Sequence, residues 1–135
     1  MVQMSATYKG QKHCELTHGP SQSHIETDAP KDNNGLGEKF SPTDLVGAAL
    51  ASCILTTMAI VAERDGIDMS GATAEVEKHM HTSPRRIARL PVKITMPKGV
   101  PQDHRTKLKN VAEVCPVHKS LHPDIEAPIE IRDPD

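Results

Sequence analysis

Two of the three cysteines in this 135-residue chain lie where a thiol could react. Cys53 lies inside an apolar segment of small residues, and Cys115 directly precedes Pro116. Two thiols far apart in sequence, each in helical surroundings, form the arrangement that two-step thiol redox chemistry uses. An odd number of cysteines also argues against a secreted disulfide framework. Catalytic, metal-binding and inert core thiols therefore stay open.

The two cysteines differ in how a helix could assist them. If Pro116 opens a short helix, Cys115 is its N-cap, and the backbone N–H groups there would stabilise a thiolate. Cys53 lies in mid-helix, so its ionisation would depend on a neighbouring cation. Taken alone, either could be an inert core thiol, since free cysteine is among the most buried residue types. We interpret Cys14 as a structural strand residue.

Asp44 is the third candidate site residue, at the start of the same apolar helix. Ser41 is a natural N-cap, Pro42 suits the first helical position, and Asp44 supplies a carboxylate to the first turn. Nine residues separate Asp44 from Cys53, which is about 13 Å along a straight helix. Its carboxylate therefore cannot act as a direct base on that thiol within one chain. Its predicted functional role is to orient a cation that reaches the sulfur.

The elements that must position these residues follow from hydrophobic patterning and turn signals. The predicted order is strands over 2–8, 12–17 and 24–27, a polar loop, a long helix from 41 to 65, strands over 72–81 and 88–96, helices over 102–114 and 117–121, and a last strand containing Ile129 and Ile131. Gly66 ends the long helix. The two central strands form a hairpin with one wet side, and the inward face of the second strand carries Ala88, Leu90, Val92, Ile94 and Met96. The long helix is apolar around most of its girth, so we expect it to be central and buried.

Composition narrows the class of protein. The length predicts one domain over residues 1–135. With one Tyr, one Phe and no Trp, an aliphatic core buries less area per residue, and a core shared in a homodimer would relieve that shortage. A net charge of −2 with dispersed cations gives no case for nucleic acid or an anionic membrane. The apolar run is interrupted by two threonines and ends in charges, so we expect no membrane span and a cytoplasmic protein.

The histidines raise a metal alternative. Cys115 and His118 have the spacing of metal ligands, and His79 and His81 share one face of a strand. Structural zinc sites usually bring two close pairs, and no further candidate pairs convincingly here. We therefore predict no metal and no cofactor, and we interpret most histidines as facing solvent.

The segments FSPTDLVGAALASCILTTM and AEVCPVHKSL, whose cysteines are 62 positions apart, resemble the cysteine motifs of the OsmC/Ohr family of thiol peroxidases. The resemblance covers nearly the whole chain and includes the order of elements. It implies an α+β, two-layer OsmC-like fold with an antiparallel sheet packed against a central long helix. It also implies that two subunits interlock as a homodimer with the long helices at its centre.

For function, the resemblance implies reduction of organic hydroperoxides in oxidative stress defence. The cysteine matching Cys53 would attack the peroxide oxygen and become a sulfenic acid. The cysteine matching Cys115 would condense with it to a disulfide, and a dithiol reductant would restore the pair. In the family, an acidic residue and an arginine help to ionise the attacking thiol.

The sequence departs from that pattern at two places. Thr43 stands where many members carry Glu, although Asp44 beside it keeps a carboxylate, and no arginine occurs before Arg64. The basic side chains before Arg64, other than histidines, are lysines. A lysine lacks the planar fork with which arginine holds a carboxylate. A non-catalytic OsmC-like protein that binds a small apolar ligand near Cys53 is therefore the first alternative. A metal-binding protein that uses Cys115 and His118 is the second.

Overall fold

The computed structural model describes residues 1–134. The strands are β1 (Met4–Gly10), β2 (His13–His18), β3 (His24–Asp28), β4 (Thr73–Val76), β5 (His79–Thr82), β6 (Arg85–Arg89), β7 (Val92–Thr95) and β8 (Ile129–Arg132). The helices are α1 (Pro42–Arg64), α2 (Arg105–Ala112) and α3 (Pro116–Ser120). This mixed α+β composition agrees with the predicted fold class. The chain forms two compact units, one ending at Val46 and one beginning at Gly47; a single domain over 1–135 stays a prediction.

The first unit contains an antiparallel sheet in the order β1-β2-β3. Cys14 lies in β2 opposite Tyr8 on one side and Thr27 on the other. The loop after β3 is held to the strand, because Asp28 N–H donates to the Phe40 carbonyl at 3.1 Å. The buried carboxylate of Asp28 also accepts the N–H of Glu38 at 3.2 Å.

One histidine of this sheet, His13, lies between two carboxylates. The Nδ1 of His13 lies 2.7 Å from Oδ1 of Asp28, and its Nε2 lies 3.2 Å from Oε1 of Glu26. The hydrogen bond with Asp28 is the main reason why the pKa of His13 is raised; partial burial opposes that rise, and Glu26 adds to it. The first unit therefore contains a cluster of ionisable side chains, formed by His13, Glu26 and Asp28, on strands β2 and β3.

We expected the long helix α1 to be buried on most sides, but it is buried along one face. The buried positions are Gly47, Leu50, Ala51, Ile54, Met58 and Ala62. Ile60 on the other side is 49% exposed, and only 28% of the most apolar stretch is buried. By length and composition alone, α1 is the one helix of residues 1–134 that could cross a membrane. The hydrophobic pattern predicted the position of the helix, but it does not predict what covers the exposed face.

Two glycines set where α1 packs and where it ends. A Cβ on Gly47 would lie 3.4 Å from Leu90 and 3.7 Å from Val76, so the helix backbone passes close to these side chains. Gly66 has a φ of +73°, a conformation that glycine adopts without steric penalty. The following N–H, of Ile67, returns to the carbonyl of Ala62 at 2.9 Å and closes the helix end.

The predicted central hairpin exists, but each of its strands is broken in two. β4 pairs with β7 and β5 pairs with β6, both antiparallel, and a register shift lies between His79 and Met80. The predicted inward residues Leu90, Val92, Ile94 and Met96 are buried. In β6 the shift makes Ile87 the buried residue in place of the predicted Ala88.

The terminal strand corrects the expectation of a purely antiparallel sheet. β8 pairs with β7 in parallel, which gives the order β4-β7-β8. Parallel neighbours need a long crossover connection, and here α2 and α3 supply it. The crossover has a functional consequence, because it contains Cys115 between its two helices.

Candidate active site

Cys115 is the N-cap of α3, as the sequence predicted. Its φ and ψ are −61° and 148°, and Pro116 occupies the first turn, where a missing N–H matters least. The sulfur accepts the backbone N–H of His118 at 3.4 Å. The side chain is fully buried, so the sulfur has backbone donors but no contact with solvent.

Burial and the helix start act on this thiol in opposite directions. Burial is the largest cause and raises the pKa of Cys115. The N–H groups of His118 and Val117 oppose that rise, while contact with the Cys53 thiol adds to it. The stabilisation of a Cys115 thiolate that we expected from the helix start is therefore smaller than the opposing effect of burial. The neutral thiol is the favoured form of Cys115 in the folded protein.

The Cys53 thiol lies close enough to Cys115 to raise the pKa of that thiol. Cys53 comes from the middle of α1 and is half-buried, and its sulfur also lies 3.9 Å from the Thr57 hydroxyl. Both cysteines and Cys14 are free thiols in the structure. The fold thus brings together two thiols that are 62 positions apart, one open to solvent and one closed to it.

The carboxylate of Asp44 takes part in a reciprocal cap at the start of α1. Its Oδ2 accepts the N–H of Ser41 at 2.9 Å, and Oγ of Ser41 accepts the N–H of Asp44 at 3.0 Å. Two N–H groups at the helix start are satisfied in this way. Ser41 is 1% exposed, so water could not replace its bond. Asp44 is therefore a structural helix-start residue, and its orientation of a cation stays a prediction.

His118 has a different role from that of a metal ligand. Its Nε2 lies 3.2 Å from the carbonyl oxygen of Ala127, and because a carbonyl can only accept, Nε2 carries the proton. The ligand-like spacing from Cys115 to His118 is the spacing of an N-cap and its N3 residue. Among residues 1–134, no three His, Cys, Asp or Glu side chains form a group that could hold a metal ion.

Thr57 and the anchoring of His118 are site features that sequence reasoning missed. Positions four apart on a helix are neighbours, so the spacing of Cys53 and Thr57 could have indicated the first contact. The second has no sequence signal, because Ala127 offers only its backbone. No local pattern relates it to the histidine.

These features define a mixed α+β protein with a half-buried helix thiol against a buried N-cap thiol. A family model described as OsmC-like protein matches residues 35–130. The chain belongs to the OsmC-like family. No curated protein matches it.

Solved structures agree with this assignment. The chain is similar to a proposed osmotic stress induced and detoxification response protein from Psychrobacter arcticus 273-4, with 42% identity, a TM-score of 0.93 and coverage of 98% of this chain and 96% of that one. It shares its fold with the organic hydroperoxide resistance protein OsmC of Legionella pneumophila, at 19% identity, a TM-score of 0.74 and coverage of 97% and 96%. It also shares it with OhrB of Bacillus subtilis, at 17% identity, a TM-score of 0.68 and 98% coverage of both chains.

Proposed function

We propose that this protein reduces organic hydroperoxides by two-cysteine chemistry in oxidative stress defence. The observation that carries the proposal is that the half-buried thiol of Cys53 lies near the buried thiol of Cys115. Family membership supports it, and so do two proteins with this fold that are named organic hydroperoxide resistance proteins. No cofactor is needed for this chemistry.

Exposure and ionisation assign the two thiols different roles. An attacking thiol must be reached by the peroxide and must ionise. Cys53 is accessible, whereas Cys115 is closed to solvent and its pKa is raised by burial. Cys53 is therefore the attacking residue, and Cys115 resolves the product.

The proposed cycle has three balanced steps. The Cys53 thiolate attacks the terminal peroxide oxygen, the O–O bond breaks, and a proton converts the leaving alkoxide to an alcohol. Cys115 then attacks the sulfur of the Cys53 sulfenic acid; an S–S bond forms, the S–O bond breaks, and hydroxide leaves as water with the thiol proton. A dithiol reductant reduces the disulfide to two thiols and becomes oxidised itself.

Two polar groups lie next to the Cys53 thiol, and both are neutral. They are the hydroxyl of Thr57 and the thiol of Cys115. The sequence has no arginine before Arg64, and because the thiolate is the reactive form, we expect slower turnover than at a site with an arginine beside the thiol. Asp44 would contribute only by orienting a cation toward the sulfur.

Cysteine variants test the assignment. We expect Cys53→Ser to abolish hydroperoxide consumption, and we expect Cys115→Ser without reductant to consume about one equivalent and to stop at the Cys53 sulfenic acid. Cys14→Ser is the matched control, because Cys14 lies in strand β2 of the first sheet. It should leave the rate unchanged. The measurement is loss of cumene hydroperoxide with a dithiol as reductant. Equal turnover by Cys53→Ser and the unmodified protein refutes the proposal.

A non-catalytic, ligand-binding protein is the second candidate function. The observation that favours it is that no arginine occurs before Arg64, because a lost activating cation weakens catalysis more than binding. In that case neither the unmodified protein nor Cys53→Ser would consume peroxide. An apolar fluorescent probe that both bind equally would then support this function.

We further propose that a second copy of the chain covers the exposed face of α1. This face carries small or apolar residues, namely Ala49, Ser52, Thr56 and Ile60. Small side chains let another backbone approach closely, and a two-fold pair would cover both helices at once. A homodimer of this kind, located in the cytoplasm where dithiol reductants are available, accounts for the apolar face without a membrane.

A further inference from the structure

His118 is bound at two points in the site. Its backbone N–H donates to the sulfur of Cys115 at 3.4 Å, and its ring Nε2–H donates to the carbonyl oxygen of Ala127 at 3.2 Å. The ring is half-buried, so water competes weakly for this bond. One residue therefore ties the Cys115 sulfur to the backbone that leads into β8.

Among residues 1–134, the backbone hydrogen bonds on either side of Ala127 leave its own carbonyl out. The carbonyls of Glu126 and Pro128 accept the N–H groups of Leu90 and Val92, just before and at the start of the neighbouring strand β7, at 2.7 and 2.9 Å. Successive peptide groups of an extended segment point to opposite sides. Ala127 therefore presents its carbonyl away from that strand, where the His118 ring meets it.

The helix that carries Cys115 needs such an anchor. α3 has only five residues, and a helix of that length has little stability of its own. Disulfide formation nevertheless requires two Cα atoms within about 4.4–6.8 Å and a narrow range of dihedral angles. The His118–Ala127 hydrogen bond ties α3 to the backbone that leads into β8, which limits how far Cys115 can move.

We infer that His118 is a positioning residue for the disulfide-forming step, an inference that rests on the proposed two-cysteine function. It acts through Cys115 and takes no part in the attack of Cys53 on the peroxide. Loss of its ring contact should therefore slow condensation of Cys115 with the Cys53 sulfenic acid. The first step, in which the peroxide bond breaks, should keep its rate.

Single-turnover kinetics separate the two steps. In His118→Phe, with cumene hydroperoxide, we expect disulfide formation to slow about tenfold, the usual effect of losing one hydrogen bond to a half-buried carbonyl. Peroxide consumption should change less than about twofold. Dimedone should trap correspondingly more Cys53 sulfenic acid. In His118→Gln, whose amide nitrogen can take the place of Nε2, disulfide formation should recover most of its rate.

A matched control and a second variant keep the test decisive. His122→Gln makes the same replacement at a histidine whose side chain is 68% exposed, and it should leave both steps unchanged. If His118→Phe does not fold, His118→Asn replaces it, since the shorter amide does not reach Ala127. Equal disulfide rates, or an equal fall in both steps, overturns the inference alone. Absence of a Cys53–Cys115 bridge in the unmodified protein overturns the proposed function as well.

Discussion

The cap at the start of α1 allows a quantitative prediction about Asp44. Asp44→Ala removes the acceptor for the Ser41 N–H, and loss of a helix cap costs about 0.5–2 kcal/mol. It also removes a negative charge from the positive end of the helix, worth roughly 0.3–1 kcal/mol. We therefore expect the free energy of unfolding to fall by about 1–2 kcal/mol, and the midpoint temperature by about 4–8 °C.

Asp44→Asn separates the cap from the charge. Its side-chain oxygen can still accept the N–H of Ser41, so it should lose only the charge contribution, about 0.3–1 kcal/mol. Chemical denaturation followed by far-UV circular dichroism measures both variants. If Asp44→Ala is as stable as the unmodified protein, the reciprocal cap does not stabilise the helix and the structural interpretation of Asp44 is wrong.

Three further predictions concern the rest of the chain. The raised pKa of His13 favours its protonated form in the folded protein. The resulting stabilisation is complete below the ordinary value of 6.5 and is lost as pH rises through the raised pKa. In His13→Gln, the free energy of unfolding should therefore fall less over that pH range. Leu50→Ala at a fully buried position should lower the free energy of unfolding by about 2–5 kcal/mol in urea titrations. Ile60→Glu should convert the expected dimer to monomer in light scattering; a monomeric unmodified protein at micromolar concentration would contradict the dimer.

Local signals in the sequence predicted the helices and most strand positions. Ser41 and Pro42 indicated the start of α1, Gly66 its end and Pro116 the start of α3, because capping depends on residues adjacent in sequence. The alternation before and after the central turn placed Val92 and Ile94 in the core. These signals need no knowledge of the tertiary structure.

The remaining features depend on contacts between distant segments. The parallel pairing of β8 with β7 and the shift beside Met80 arise from how the strands meet, which hydrophobic period does not determine. The one-sided burial of α1 depends on what covers it. The pairing of Cys53 with Cys115 came from the family resemblance, since no spacing rule relates residues in two different helices. The environment of His13 also has no local signal, because its partners Asp28 and Glu26 lie on another strand.

Disulfide mapping tests the central claim most directly. The reduced protein is treated with one equivalent of an organic hydroperoxide, alkylated, digested without reductant and analysed by mass spectrometry. We predict a bridge between Cys53 and Cys115, with Cys14 recovered in alkylated form. A bridge to Cys14, or two thiols that stay free while the peroxide is consumed, would contradict the two-cysteine mechanism.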